Sequence, residues 1–528
     1  MCEVDWKGQY TMTDKNKWLH IAIIIGIVGI LMFSYLGSQP LMDPDEPVYA
    51  ETAREMLQVH DFISPRIYGD FWYDKPPMYY WLVAAASQVF GGGEFAARFP
   101  SAFFAVGGSL LVYLSGRKLF NERAGLLAAL VLGTSLEYFY LGNAAVTDMT
   151  LTFFLLAALL SFLHKNYYLL YSFAALGVVT KGPVALFFCV VIIGGYLMLT
   201  STLATVKQMK AGKGILLFAV IALPWYVAMY YFHGMDFIDT FLGFHNVTRF
   251  LEPEHSSGKL WYYYIPVVIL GFFPWTALLV QACYAGWKEQ GQERKTCMFL
   301  LIWIVTVFGF FSLSQTKLVS YILPMYPPLA MLVGNYFDKA WTEGQYKALK
   351  VSAIVFGGVT AILIAGLSYA GAVVSAELIF PVRIIAGILT LLAAAILYHS
   401  FRHNFGNVFI TYIVGMVVFT AFLMLHTLPA IIPAVSVKPM VEEFKQQYDG
   451  QAPVYIAKFY RPGFMYYSGM AGIELNVDEL AAAVLDKPDR AYFIMQKGKY
   501  DKLTSDIQSK LRVLAAQEDK ILFVRDGN

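Results

Sequence analysis

Hydrophobic positions along this chain fill whole segments, from Trp18 to Pro429, with short polar breaks between them. A helix that crosses a bilayer needs roughly 20 mostly apolar residues, because the hydrocarbon core is about 30 Å thick. Thirteen spans are predicted on that criterion, at about 18–36, 95–115, 124–141, 149–164, 167–180, 183–200, 214–231, 263–284, 297–312, 319–336, 350–370, 383–399 and 407–429. A further apolar stretch, 77–91, is shorter and follows Lys75-Pro76-Pro77. After about Ala434 the pattern changes. Short apolar runs at Pro453–Ala457, Ala491–Met495 and Lys520–Val524 alternate with helix-like polar stretches. That alternation predicts a small α/β soluble domain. The expected architecture is an all-α polytopic membrane unit, residues 1–433, followed by a soluble unit, residues 434–528.

Charge sets the orientation. Basic residues favour cytoplasmic loops. With the N-terminus inside and 77–91 not crossing, 17 Lys and Arg fall inside and seven fall outside before the C-terminal tail. Counting 77–91 as a span reverses this, so it is read as an interfacial or re-entrant helix. Two long loops, 37–94 and 232–262, and the C-terminal unit then lie outside. The first apolar run shows no small-residue cleavage site and is read as a retained helix.

Composition agrees with a bilayer as solvent: 58% of residues are hydrophobic and 14% charged, against about 25% charged in soluble domains. The net charge of +2 gives no sign of a nucleic-acid partner. Cys2, Cys189, Cys283 and Cys297 have no metal-ligand spacing and predict no disulfide framework. No nucleotide-binding loop is present, so no nucleotide cofactor is expected.

Ionisable groups at a membrane are costly and are functional candidates by default. Here they gather on the outer side. The first loop opens with Asp43-Pro44-Asp45-Glu46, directly after a span. Asp45 and Glu46 are candidate catalytic acids; the competing reading is the acidic first turn of a helix. Lys75, between Asp74 and two prolines, suits an anionic headgroup, or else snorkels to water. Asp148 begins the fourth span, as a cap or as a second catalytic acid. Lys181-Gly182-Pro183 is read as structural. In the loop 232–262, Arg249 amid aromatics is suited to a lipid phosphate, whereas His245 reads as polar surface more readily than as a metal ligand. Tyr321 returns to the same face, as an anion-binding hydroxyl or an interfacial anchor. The spans are almost free of charge, which favours an enzyme over a transporter with polar groups at mid-membrane.

Taken in order, these segments resemble the bacterial aminoarabinose transferases that act on lipid A and their protein O-mannosyltransferase relatives, which share the GT-C membrane fold. The matching stretches are Asp43–Met56, Asp74–Trp81, Ala96–Phe99, Thr147–Met149, Lys181–Pro183, His245–Leu251 and Lys317–Pro328. The resemblance implies about 13 transmembrane helices with an outer soluble domain. It also implies sugar transfer from an undecaprenyl phosphate carrier to an envelope acceptor, such as lipid A, in the bacterial inner membrane. Asp45 matches the family's catalytic aspartate, and Asp148 its second acid. Lys75, Arg249 and Tyr321 match the ligands of the carrier phosphate. Asp74 and His245 fall where members hold a divalent metal, a structural zinc, with Asp74 standing where Glu is expected. A secreted protein or another glycan is the alternative acceptor. The sequence leaves the identity of the sugar open.

Overall fold

A computed structural model describes residues 3–4, 10–11, 14–248, 260–374, 378–475 and 490–526, with side chains from Asn16 onward except 245–247, 292 and 372–374. Helix α1 (Asp14–Phe33) leads into the first long loop. That loop holds α2 (Asp45–Val59) and α3 (Met78–Phe90), joined through a short ribbon of Arg66–Ile67 against Asp70–Phe71. The bundle continues with α4 (Glu94–Leu119), α5 (Glu122–Gly133), α6 (Leu136–Gly142), α7 (Thr147–Leu163), α8 (Tyr167–Lys181) and α9 (Val184–Leu199). Then come α10 (Ala211–Phe237), α11 (Tyr264–Gly271), α12 (Leu279–Lys288), α13 (Gly291–Leu313) and α14 (Tyr326–Thr342). The last bundle helices are α15 (Tyr346–Val374), α16 (Ile379–Phe401), α17 (Phe405–Phe422) and α18 (Leu428–Val435).

Every stretch predicted as a span contains helix, but they are not thirteen straight crossings. Among the described residues, seven helical segments are long and apolar enough to cross a bilayer, or up to nine if each of two bent pairs is one span. The stretch 124–141 breaks between α5 and α6 by 65°. At the break Thr134 and Ser135 turn their hydroxyls back onto the carbonyls of Leu130 and Val131, at 2.6 and 2.7 Å, and the Leu136 amide leaves the helical ladder for the Phe273 carbonyl at 3.0 Å. The stretch 263–284 breaks by 109° between α11 and Trp275–Lys288, where Pro274 has no N–H to continue the ladder. Neither break interrupts the apolar composition, so hydropathy passes over both. Helices also approach closely through small residues, as membrane bundles do. A Cβ at Gly334 in α14 would lie 2.5 Å from the Ala128 backbone nitrogen in α5.

The C-terminal part has its own apolar core, including Val437, Phe444, Tyr492 and Phe523. It contains α19 (Lys438–Gln447), β1 (Val454–Ala457), α20 (Arg461–Ser468), β2 (Ile473–Leu475), β3 (Ala491–Gln496), β4 (Arg512–Gln517) and β5 (Lys520–Arg525). The sheet order is β2-β1-β3-β5-β4. β1 is parallel to β2 and β3, and β5 is antiparallel to β3 and β4. The three apolar runs of the tail are β1, β3 and β5, the central strands. Burial on both faces makes such strands read as unbroken apolar runs. β2 and β4 lie at the edges, are more exposed, and leave a weaker trace in the sequence.

Candidate functional site

The first loop is pinned by a buried ion pair. Arg98 in α4 donates from Nε to Glu46 Oε1 at 2.8 Å and from Nη2 to Glu46 Oε2 at 2.7 Å. The same carboxylate accepts the amides of Ala145, at 2.6 Å, and Met42, at 2.8 Å. The remaining guanidinium hydrogens reach the carbonyls of Leu36, Gln39 and Pro40. Glu46 and Arg98 are 4% and 3% exposed. With every lone pair engaged, Glu46 has no capacity left for proton transfer. It fixes the entry to α2 and leaves the preceding residue, Asp45, exposed at the first turn.

One turn on, Tyr49 is buried between Tyr79 and Tyr80, with ring centroids 5.4 and 5.8 Å away. Burial pushes its hydroxyl well above the usual tyrosine range, and the negative charges of Asp74, Asp45 and Asp148 add to the push. Three carboxylates from three parts of the sequence therefore bear on one side chain. Two of them have lysine partners. Lys75 Nζ lies 2.9 Å from Asp74 Oδ1. Lys181 Nζ, at the end of α8, lies 2.6 Å from Asp148 Oδ1, at the start of α7. The ammonium of Lys181 also sits 4.8 Å from the centroid of the Tyr321 ring, which packs on Phe311. Asp148 is buried, and Lys75 and Tyr321 are half-buried.

The structure thus brings Asp45, Asp74 and Asp148 into one electrostatic neighbourhood and attaches Lys75, Lys181 and Tyr321 to it. Lys181, read from sequence as structural, is bonded directly to a candidate acid. Its position at the last residue of a helix was the available signal, but its partner is 33 residues away. Arg249 lies outside the described residues, as does the side chain of His245. Among the described residues no group of three or more His, Cys, Asp or Glu is placed to hold a metal. Asp74 turns its Oδ1 to a lysine.

Farther into the bundle, the Tyr326 hydroxyl donates to Glu137, which is buried in α6. This acid lies within a stretch read from sequence as a plain span, and the bend before α6 brings it to its partner.

Residues 74–227 match the family model described as dolichyl-phosphate-mannose-protein mannosyltransferase. An undecaprenyl phosphate-alpha-4-amino-4-deoxy-L-arabinose arabinosyl transferase from Edwardsiella ictaluri is 31% identical over 418 residues, 73% of each chain. The chain belongs to that transferase family. A relative of the same name from Aeromonas hydrophila is 33% identical, and the match spans 63% of this chain and 63% of the relative. The transferase fold extends further than the sequence match. The crystal structure of ArnT from Cupriavidus metallidurans bound to undecaprenyl phosphate superimposes with a TM-score of 0.80 at 20% identity, covering 97% of this chain and 98% of that one. The fold is the GT-C fold of that transferase, in a multi-span membrane protein with a small C-terminal sheet.

Proposed function

We propose that this chain transfers 4-amino-4-deoxy-L-arabinose from an undecaprenyl phosphate carrier to lipid A, with inversion at the anomeric carbon, on the periplasmic side of a bacterial inner membrane. The observation that carries the reading is the pairing of candidate acids with cations, Asp74 with Lys75 at 2.9 Å and Asp148 with Lys181 at 2.6 Å, the second ammonium lying over the Tyr321 ring. Family membership supports it, and the relatives' names supply the sugar and the carrier.

The chemistry follows from the charges. As the glycosidic bond breaks, negative charge grows on the carrier phosphate. Lys75, Arg249 and Tyr321 carry that charge, and preorganised donors of this kind are among the strongest sources of rate enhancement. Asp45, exposed at the start of α2, faces the acceptor. It takes a proton from a hydroxyl, or, where the acceptor is a phosphate that needs no deprotonation, it orients that group and steadies positive charge on the sugar. Asp148 holds the Lys181 ammonium against Tyr321 and so sets the position of the Tyr321 hydroxyl. Glu46 positions the loop through Arg98. Residues 1–433 form the membrane-spanning catalytic unit, with the N-terminus inside and the active site on the non-cytoplasmic side, and 434–528 form a second unit on that non-cytoplasmic side. For a structural zinc on Asp74 and His245, Asp74 Oδ1 is already engaged by Lys75, and among the described residues no group of three or more His, Cys, Asp or Glu stands ready to complete the site.

Mass spectrometry of lipid A and envelope glycans from cells with and without the gene tests this reading. Loss of aminoarabinose from lipid A alone is expected. Unchanged lipid A, with a sugar lost from a secreted protein or another glycan, would overturn the choice of acceptor. No change in any of them would overturn the reaction.

A further inference from the structure

The loop that presents Asp45 is held from its other side by the C-terminal sheet unit. Asp43 donates its amide hydrogen to the Val435 carbonyl at 2.9 Å, and its Oδ2 accepts the Val437 amide at 2.6 Å. Its Oδ1 is buried, makes no hydrogen bond, and points at α20. There the chain has Gly463. A Cβ at that position would lie 2.2 Å from Asp43 Oδ1 and 2.7 Å from Val437 Cγ1. The glycine is needed for space, since the carboxyl group occupies the volume that any larger residue would take. Leu41, on the same loop, is tied twice more. Its amide donates to the Tyr467 hydroxyl at 2.7 Å, and its carbonyl accepts from Ser436 Oγ at 2.8 Å. None of these groups has a part in the chemistry set out above.

We propose that the C-terminal sheet unit is a positioning element of the active site, with Asp43 as the positioning residue: its side chain, seated between Val437 and Gly463, fixes the loop on which Asp45 stands. The proposal rests on the reading of Asp45 as catalytic. The electrostatics around Asp43 fit a seated neutral group. Burial raises the carboxyl to about 8, the Val437 amide and the charge of Lys520 act against this, and Glu46 adds to it. Lys520, buried on β5, is occupied with the carbonyls of Pro433 and Ala434 and lies over the Tyr460 ring. Tyr460 donates to Asp519. A neutral carboxyl is mimicked in shape by an amide, so asparagine should seat where alanine cannot.

The test uses the full-length protein in nanodiscs as Asp43→Asn, Asp43→Ala, Gly463→Ala and the Asp43→Ala/Gly463→Ala double variant. Three quantities are read: sugar transfer, undecaprenyl phosphate binding, and hydrogen exchange at residues 41–46. Asp43→Asn should turn over within about threefold of wild type. Asp43→Ala and Gly463→Ala should each lose about tenfold or more in kcat, as small displacements of a reacting group do, with carrier binding little changed and exchange at 41–46 accelerated. The double variant should be no worse than either single one, because the added methyl fills space the carboxyl leaves. Strictly additive losses would overturn the proposal, as would unchanged exchange in both single variants. If the wild type transfers no sugar while exchange responds as expected, the reading of the reaction falls and the coupling of loop to sheet unit stands supported.

Discussion

Lys181 and Asp148 form a close ion pair, Nζ to Oδ1 at 2.6 Å, between the end of α8 and the start of α7. The pair is largely shielded from water, and its ammonium also covers the Tyr321 ring. Removing one member leaves the other charge without its partner, which costs more than removing both. Lys181→Met and Asp148→Asn should each lower transfer by at least about tenfold, and the double variant should lose less than the product of the two. Steady-state rates for the three variants, at matched expression, check this. Independent, multiplicative losses would mean that Asp148 and Lys181 act separately.

The Glu46–Arg98 pair is deeper and holds more. Breaking a buried pair by removing one partner costs about 3–5 kcal/mol. Glu46→Gln should therefore lower the unfolding temperature in detergent and reduce the yield of inserted protein. Glu46→Gln with Arg98→Met should recover part of the stability. A Glu46→Gln protein as stable as wild type, with transfer lost, would instead mean that Glu46 takes part in the chemistry.

How far the sequence discloses this arrangement depends on how local each signal is. Asp45, Lys75 and Asp148 stand at the ends of apolar runs, where charge beside a membrane is conspicuous without knowledge of the fold. Their pairings are not legible. Arg98 lies 52 residues from Glu46, and Lys181 lies 33 from Asp148, and neither contact leaves a pattern along the chain. The broken helices escape for a different reason. The backbone bends at single points, beside Thr134 and Ser135 and at Pro274, while a hydropathy window averages over a whole span. In the C-terminal unit the buried central strands β1, β3 and β5 are visible as apolar runs. The edge strands β2 and β4 are not, because half-exposed strands need no such run. Asp43 reads as one more acid of the first loop, and its burial depends on Gly463, some 420 residues later.

Two acids of the first loop set a pH dependence. Burial pushes Asp43 up to about 8, and it pushes Glu51 up to about 7 against the lowering effect of Arg54. Both bind their protons more tightly in the folded protein than in the unfolded chain. Their contribution to stability is then complete below the ordinary carboxylate range and is lost as pH rises through these raised values. The unfolding temperature should fall as pH rises from ~6 to ~9, and Asp43→Asn should flatten part of that slope. Thermal unfolding of both proteins across this range is the check. Parallel slopes would mean that Asp43 does not titrate there.

The claim at the centre is that Asp45 serves the transfer step while Lys75, Arg249 and Tyr321 hold the carrier phosphate. These roles separate in one experiment on purified protein: undecaprenyl phosphate titration alongside transfer from the loaded carrier to lipid A. Asp45→Asn should bind the carrier as wild type does and transfer essentially nothing. Lys75→Ala and Arg249→Ala should bind about ten- to a hundredfold more weakly, the worth of one charge-assisted hydrogen bond. Tyr321→Phe, which loses a neutral donor, should weaken binding less. Near-normal transfer by Asp45→Asn, or wild-type carrier affinity in both cation variants, would contradict this assignment.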